Sequence, residues 1–141
     1  MSTTGSLGEW EEEEPAGEPA PKLYFASVEI FVGKYLLDMY RRPVSSTGTT
    51  WCPEWWLHPE ARLRLEAMWR AWEHLRLDPA LGMSAWLRDH ADYHMAVLLS
   101  SDGPFKGCTE KQHAERPLRP LRSNPPHPPP EGLSELAHPH D

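Results

Sequence analysis

The residues able to do metal or acid–base chemistry are few. Two cysteines, Cys52 and Cys108, and eight histidines stand among 141 residues. His90 and His94 are four apart, so on an unbroken helix their rings share a face. Zinc takes such a pair, and Cys52, His58 or Cys108 would complete a tetrahedron. The candidate metal ligands are therefore Cys52, His58, His90, His94 and Cys108. A competing explanation puts His90 among Trp86, Tyr93 and Val97 on an apolar face, as a hydrogen-bonded core histidine. No Cys-x-x-Cys pair and no Glu-adjacent His pair fixes the spacing. A nucleophilic cysteine needs a base within hydrogen-bond reach, and nothing in the spacing supplies one. The chain is read as non-enzymatic, with no catalytic residue and no cofactor other than zinc.

Charge and proline divide the chain into three parts. Residues 1–21 hold six glutamates and no Lys or Arg. Residues 22–112 hold eleven acidic and eleven basic side chains, so the net charge of -7 belongs to the arms. Residues 113–141 hold eight of the sixteen prolines, including the run Pro125-Pro126-His127-Pro128-Pro129-Pro130. Such a run lacks backbone donors and favours an extended polyproline II form. The expectation is a disordered acidic arm over 1–21, a helical domain over 22–112 and a disordered proline-rich tail over 113–141. The neutral middle does not supply the phosphate neutralisation that non-specific nucleic-acid affinity needs, so nucleic acid ranks behind a protein partner. No stretch approaches the roughly 18 apolar residues of a membrane span. The first 21 residues carry neither an apolar run nor a basic residue, so no signal peptide is expected. A cytoplasmic setting with reduced thiols follows.

Three amphipathic segments must position the candidate residues. The first runs from about Ala26 to Arg42, with Ser27 as N-cap. Val28, Phe31, Val32, Tyr35, Leu36 and Met39 share one face. A second line, Ile30, Gly33, Leu37 and Tyr40, has the spacing of a helix-packing seam and is a candidate homodimer or partner surface. The second segment starts near His58-Pro59-Glu60 and ends near Leu77. Its stripe is Ala61, Leu65, Met68, Trp69, Trp72 and Leu75, with Glu66, Arg70 and Glu73 opposite. The third spans about Ser84 to Leu99, with Ser84 as cap and a break near Ala91-Asp92. A short strand over His94–Leu99 is the alternative there. The class is mainly α, a small bundle of three to four helices with a tryptophan-rich loop packed on it. Trp51, Trp55, Trp56, Trp69, Trp72 and Trp86 are read as mostly core, one of the adjacent pair Trp55-Trp56 lying under the second helix and the other at the rim.

Several separated motifs resemble one family. They are Trp51-Cys52-Pro53-Glu54-Trp55-Trp56-Leu57-His58-Pro59-Glu60-Ala61, then Leu65 to Glu73, then Trp86-Leu87-Arg88-Asp89-His90, and Gly103-Pro104-Phe105-Lys106-Gly107-Cys108. Together they look like an uncharacterised actinobacterial family known as a domain of unknown function, many of whose members are encoded on plasmids and integrated mobile elements. The resemblance covers roughly Tyr24 to Cys108. It implies a cytoplasmic bacterial setting and a mobile-element role, and it assigns no activity, ligand or catalytic residue. The expected function is thus contact with other proteins. A nucleic-acid accessory protein and a zinc-binding protein are the alternatives.

Overall fold

The structure, a computed structural model, describes residues 21–45, 47–114, 118–122 and 125–133. The acidic arm falls almost wholly outside the described residues. Within them the fold is three helical runs without a named strand.

Helix α1 begins as an α-helix over Val28–Phe31, passes through a π-helical turn over Val32–Leu36, and closes as an α-turn over Leu37–Met39. The Ser27 hydroxyl accepts from the Ile30 N–H at 3.3 Å, the cap expected from sequence. Phe31, Val32 and Leu36 are fully buried, whereas Ile30 and Leu37 stay 38% and 39% exposed. The helix therefore has one core face, and the second line remains open.

Helix α2 spans Pro59–Leu75 and is the axis of the bundle. Pro59 is preset for a first turn and Glu60 sits near the positive dipole end. The Arg64–Glu60 and Arg70–Glu66 ion pairs close at 2.9 and 3.0 Å on its outer side. Ala61, Leu65, Met68, Trp69 and Trp72 are buried as the stripe predicts. Glu73 departs from the predicted polar face. It is buried, and its two carboxylate oxygens accept the Tyr24 and Phe25 N–H groups at 2.7 and 2.8 Å. The sequence pattern missed this because the extended segment it holds approaches from 48 residues away.

Helix α3 starts earlier than expected, as an α-helix over Gly82–Trp86. Asp78, not Ser84, organises the entry, accepting the Ala80 N–H at 3.0 Å. Gly82 is required there, since any Cβ would run into the Leu75 carbonyl. The predicted break is instead a π-helical turn, Leu87–Ala91, after which Asp92–Leu98 is α-helical. Asp92 caps nothing, and its carboxylate accepts the Tyr40 hydroxyl at 2.8 Å, tying α3 to α1. The strand alternative for His94–Leu99 does not form, because this stretch continues the helix that buries Met95 and Leu98.

Tryptophans fill the space between the helices. Trp86 is fully buried and donates to the Met68 carbonyl at 2.9 Å. Trp69 donates to the Phe25 carbonyl at 3.1 Å. Trp72 lies among Phe25, Phe31 and Tyr35, and its indole N–H has no partner among the described residues. Of the adjacent pair, Trp55 is buried and Trp56 is 51% exposed, the expected division, although the two stand in a 3-10 turn.

Candidate metal centre

Two loops meet at the N-terminal end of α2. The first, Thr47 to Glu54, is pinned to the end of α3. Thr50 is fully buried, its N–H donates to the Leu99 carbonyl at 3.0 Å, and its hydroxyl donates to the Ser100 carbonyl at 3.0 Å. That anchor sets Cys52, two residues on, facing inward. A 3-10 turn, Trp55–Leu57, then delivers His58 to the residue before α2. The second loop follows α3. Phe105 is fully buried and its ring lies against Trp51 and His58, with centroids 4.9 and 5.0 Å away. Gly107 adopts a φ of 86°, a left-handed conformation that glycine takes at least cost. Cys108 comes next. Reciprocal backbone bonds between Thr109 and Gln112, at 3.0 and 3.2 Å, then reverse the chain and bring His113 back over Cys108.

The outcome is a four-residue cluster of Cys52, His58, Cys108 and His113, whose ligand atoms all lie within 4.8 Å of one another. The His113 Nδ1 is 3.1 Å from the Cys52 Sγ, 3.2 Å from the His58 Nε2 and 3.9 Å from the Cys108 Sγ. The Cys108 Sγ lies 3.6 Å from the His58 Nε2. Zn–S bonds of ~2.3 Å and Zn–N bonds of ~2.05 Å put tetrahedral neighbours ~3.3–3.8 Å apart. Four of the six pairwise spacings bracket that range and all six lie within 4.8 Å, so the donor set is close enough for a zinc ion to draw it into tetrahedral contact.

The surroundings suit a cation. The Glu54 N–H points at the Cys52 Sγ at 3.4 Å, and the Ala114 N–H points at the Cys108 Sγ at 3.3 Å. Such donors favour a thiolate over a thiol. Burial pushes the Cys52 thiol up to about 12, with the Glu54 N–H opposing and Cys108 adding to the rise. Burial likewise lowers His58, and His113 adds to that, so its imidazole is held in the neutral form that ligates metal. A divalent cation would provide the positive charge the two buried sulfurs need to lose their protons.

Of the five residues singled out from sequence, the structure brings together Cys52, His58 and Cys108. It places His90 and His94 elsewhere. His94 accepts from the Arg64 guanidinium at 3.0 Å, and burial, Arg64 and His90 hold its pKa down. His90 stands half-buried on the π-helical turn of α3. The fourth member, His113, was missed because it opens the segment read as a tail. A signal was available. Cys52 and His58 are separated by five residues, and Cys108 and His113 by four, so the chain holds two similar Cys–His half-sites.

A family model described as a domain of unknown function (DUF4913) matches residues 25–129. No curated protein and no solved structure matches the chain. No helix among the described residues is long and apolar enough to cross a membrane.

Proposed function

The chain belongs to the family described as a domain of unknown function (DUF4913), and we propose that it is a zinc-stabilised, non-enzymatic helical module that works by contact with other proteins. The observation that carries the metal part is the near-tetrahedral spacing of Cys52, His58, Cys108 and His113. All four tetrahedral positions are taken by protein donors. A catalytic zinc keeps one position for water or substrate, and a structural zinc does not. The ion would join the loop before α2 to the loop after α3, a job that a domain with a modest core has reason to delegate. The neutral charge of residues 22–112 favours protein over nucleic acid as the partner. The resemblance noted above supports reading such a module as part of a mobile element.

Cobalt substitution tests the donor set. Full-length protein reconstituted with Co2+ is expected to show the visible absorption of a tetrahedral site with sulfur-to-metal charge transfer. His113→Ala is expected to bleach or shift it. A variant carrying His90→Ala and His94→Ala together is expected to leave it unchanged. The reverse pattern, with His90 and His94 required and His113 dispensable, contradicts the assignment.

A further inference from the structure

The open second line of α1 forms one wall of a groove. Gly33, Leu37 and Tyr40 face Trp51, Pro53 and Trp56 across a volume of about 600 Å³. Gly33 belongs to the π-helical turn Val32–Leu36, and π turns inside α-helices recur at functional sites. Glu29 and Glu110 also line it, and Ser27 with its own backbone holds the Glu29 carboxyl below its ordinary range. Arg42, the one cation in the lining among the described residues, lies over the Tyr40 ring and donates to the Arg41 carbonyl. A groove walled by tryptophan, tyrosine and proline with an acidic rim suits a proline-rich segment carrying basic residues, because aromatic slots accept the preformed polyproline II helix at low entropic cost.

The chain itself carries such a segment. Pro125 to Pro130 has five prolines in six residues, and every one of the six is exposed. Arg119 and Arg122 precede it and are exposed as well. In polyproline II form the run extends ~19 Å at 3.1 Å per residue. The last residue seen held by the domain before the tail is Ala114, whose N–H donates to the Cys108 Sγ four residues past Glu110 on the rim of the groove. The tail's prolines make it a semi-rigid spacer, poorly able to double back into a slot beside its own origin but free to enter the slot of a neighbour. We propose that this groove binds the run Pro125–Pro130 of a second copy of the chain, with Arg122 of the incoming tail beside the acidic rim. The loops of the candidate metal centre build the groove, since Trp51 and Pro53 flank Cys52 and Glu110 lies between Cys108 and His113. The docking therefore rests on the fold of that centre, though not on the identity of its ion.

The test uses three full-length proteins whose zinc content has been measured. In light scattering, the mass of the unaltered chain is expected to rise above that of a monomer as concentration rises. Trp56→Ala removes an exposed aromatic wall, and a five-fold variant (P125A, P126A, P128A, P129A, P130A) removes the tail's form. Each is expected to weaken association at least ~10-fold, the usual effect of losing an aromatic anchor. Mixing the two variants restores association, because one supplies an intact tail and the other an intact groove. An unaltered chain that stays monomeric, with indole emission changed by the proline substitutions alone, means that the tail occupies its own groove and overturns the proposal. Binding of an unrelated proline-rich peptide without self-association also overturns it. Self-association of this pattern in protein without zinc removes the metal assignment and leaves this one standing. Zinc-loaded protein that is monomeric in every variant does the opposite.

Discussion

At the scale of single residues, the indoles show how polar satisfaction separates side chains that burial alone would equate. Trp86 and Trp72 are both core, yet the Trp86 N–H bonds the Met68 carbonyl while the Trp72 N–H is buried without a partner among the described residues. Replacing either by Phe removes similar volume. Trp86→Phe also loses a hydrogen bond worth about 1 kcal/mol, whereas Trp72→Phe deletes an unsatisfied donor. Trp86→Phe should therefore be the more destabilising of the two in urea unfolding, and equal midpoints would contradict this account of the two environments. Trp72→Ala should cost about 3–5 kcal/mol through the cavity left among Phe25, Phe31 and Tyr35, enough to unfold a marginal domain. The candidate ligands teach a related lesson. Cys52, His58 and Cys108 are legible as chemistry-bearing residues from type alone, but His94 is committed to Arg64 and His113 is recruited only by a tight turn. Helical periodicity pointed to a His90–His94 pair because it sees neighbours on a helix and not a chain reversal.

At the scale of elements, the two ends of α2 are fastened by different chemistry. Its first end carries His58 and the loops of the candidate metal centre. Near its last turn, Glu73 and Arg76 hold the incoming segment, Arg76 bonding Glu73 at 3.1 Å and the Lys22 carbonyl at 2.6 Å. The 15 residue steps from His58 to Glu73 rise ~22 Å along the helix, so the two fastenings act independently. Burial opposes ionisation of Glu73, but the Phe25 and Tyr24 N–H groups and Arg76 outweigh it and hold its carboxyl below the usual glutamate range. A carboxyl whose folded pKa is depressed stabilises the fold above its unfolded value of ~4.3, and that contribution is lost as pH falls through the folded value. Glu73→Gln should accordingly be less stable at neutral pH and show a shallower loss of stability on acidification. An acid limb as steep as that of the unaltered chain would contradict the clasp. Gly107→Ala tests the other end. Forcing a φ of 86° on alanine should cost ~1–2 kcal/mol and loosen metal binding through Cys108. The amphipathic pattern gave the existence of all three helices, the buried stripe of α2 and the Ser27 cap, but Met39, expected on the core face of α1, is 38% exposed. It could not give the π turns in α1 and α3, since a 100° periodicity assumes an unbroken α-helix, nor the inward turn of Glu73, which depends on a distant segment.

At the scale of the whole molecule, charge and hydrophobicity are kept apart. Acidic excess is confined to the arms, while residues 22–112 are balanced. A gel-shift at low salt with single- and double-stranded DNA should show no complex at micromolar protein, since little phosphate charge can be neutralised. A salt-sensitive shift would move the module to a nucleic-acid role. The central claim is that the loops before α2 and after α3 are joined by one ion held by two sulfurs and two imidazoles. Its most direct test is X-ray absorption at the zinc edge combined with elemental analysis of the purified full-length chain. The account predicts one zinc per chain with two sulfur neighbours at ~2.3 Å and two nitrogen neighbours at ~2.0–2.1 Å, and a lower melting temperature once a chelator strips it. A chain that purifies without stoichiometric metal, takes none up from added Zn2+ and melts at the same temperature with and without chelator contradicts it.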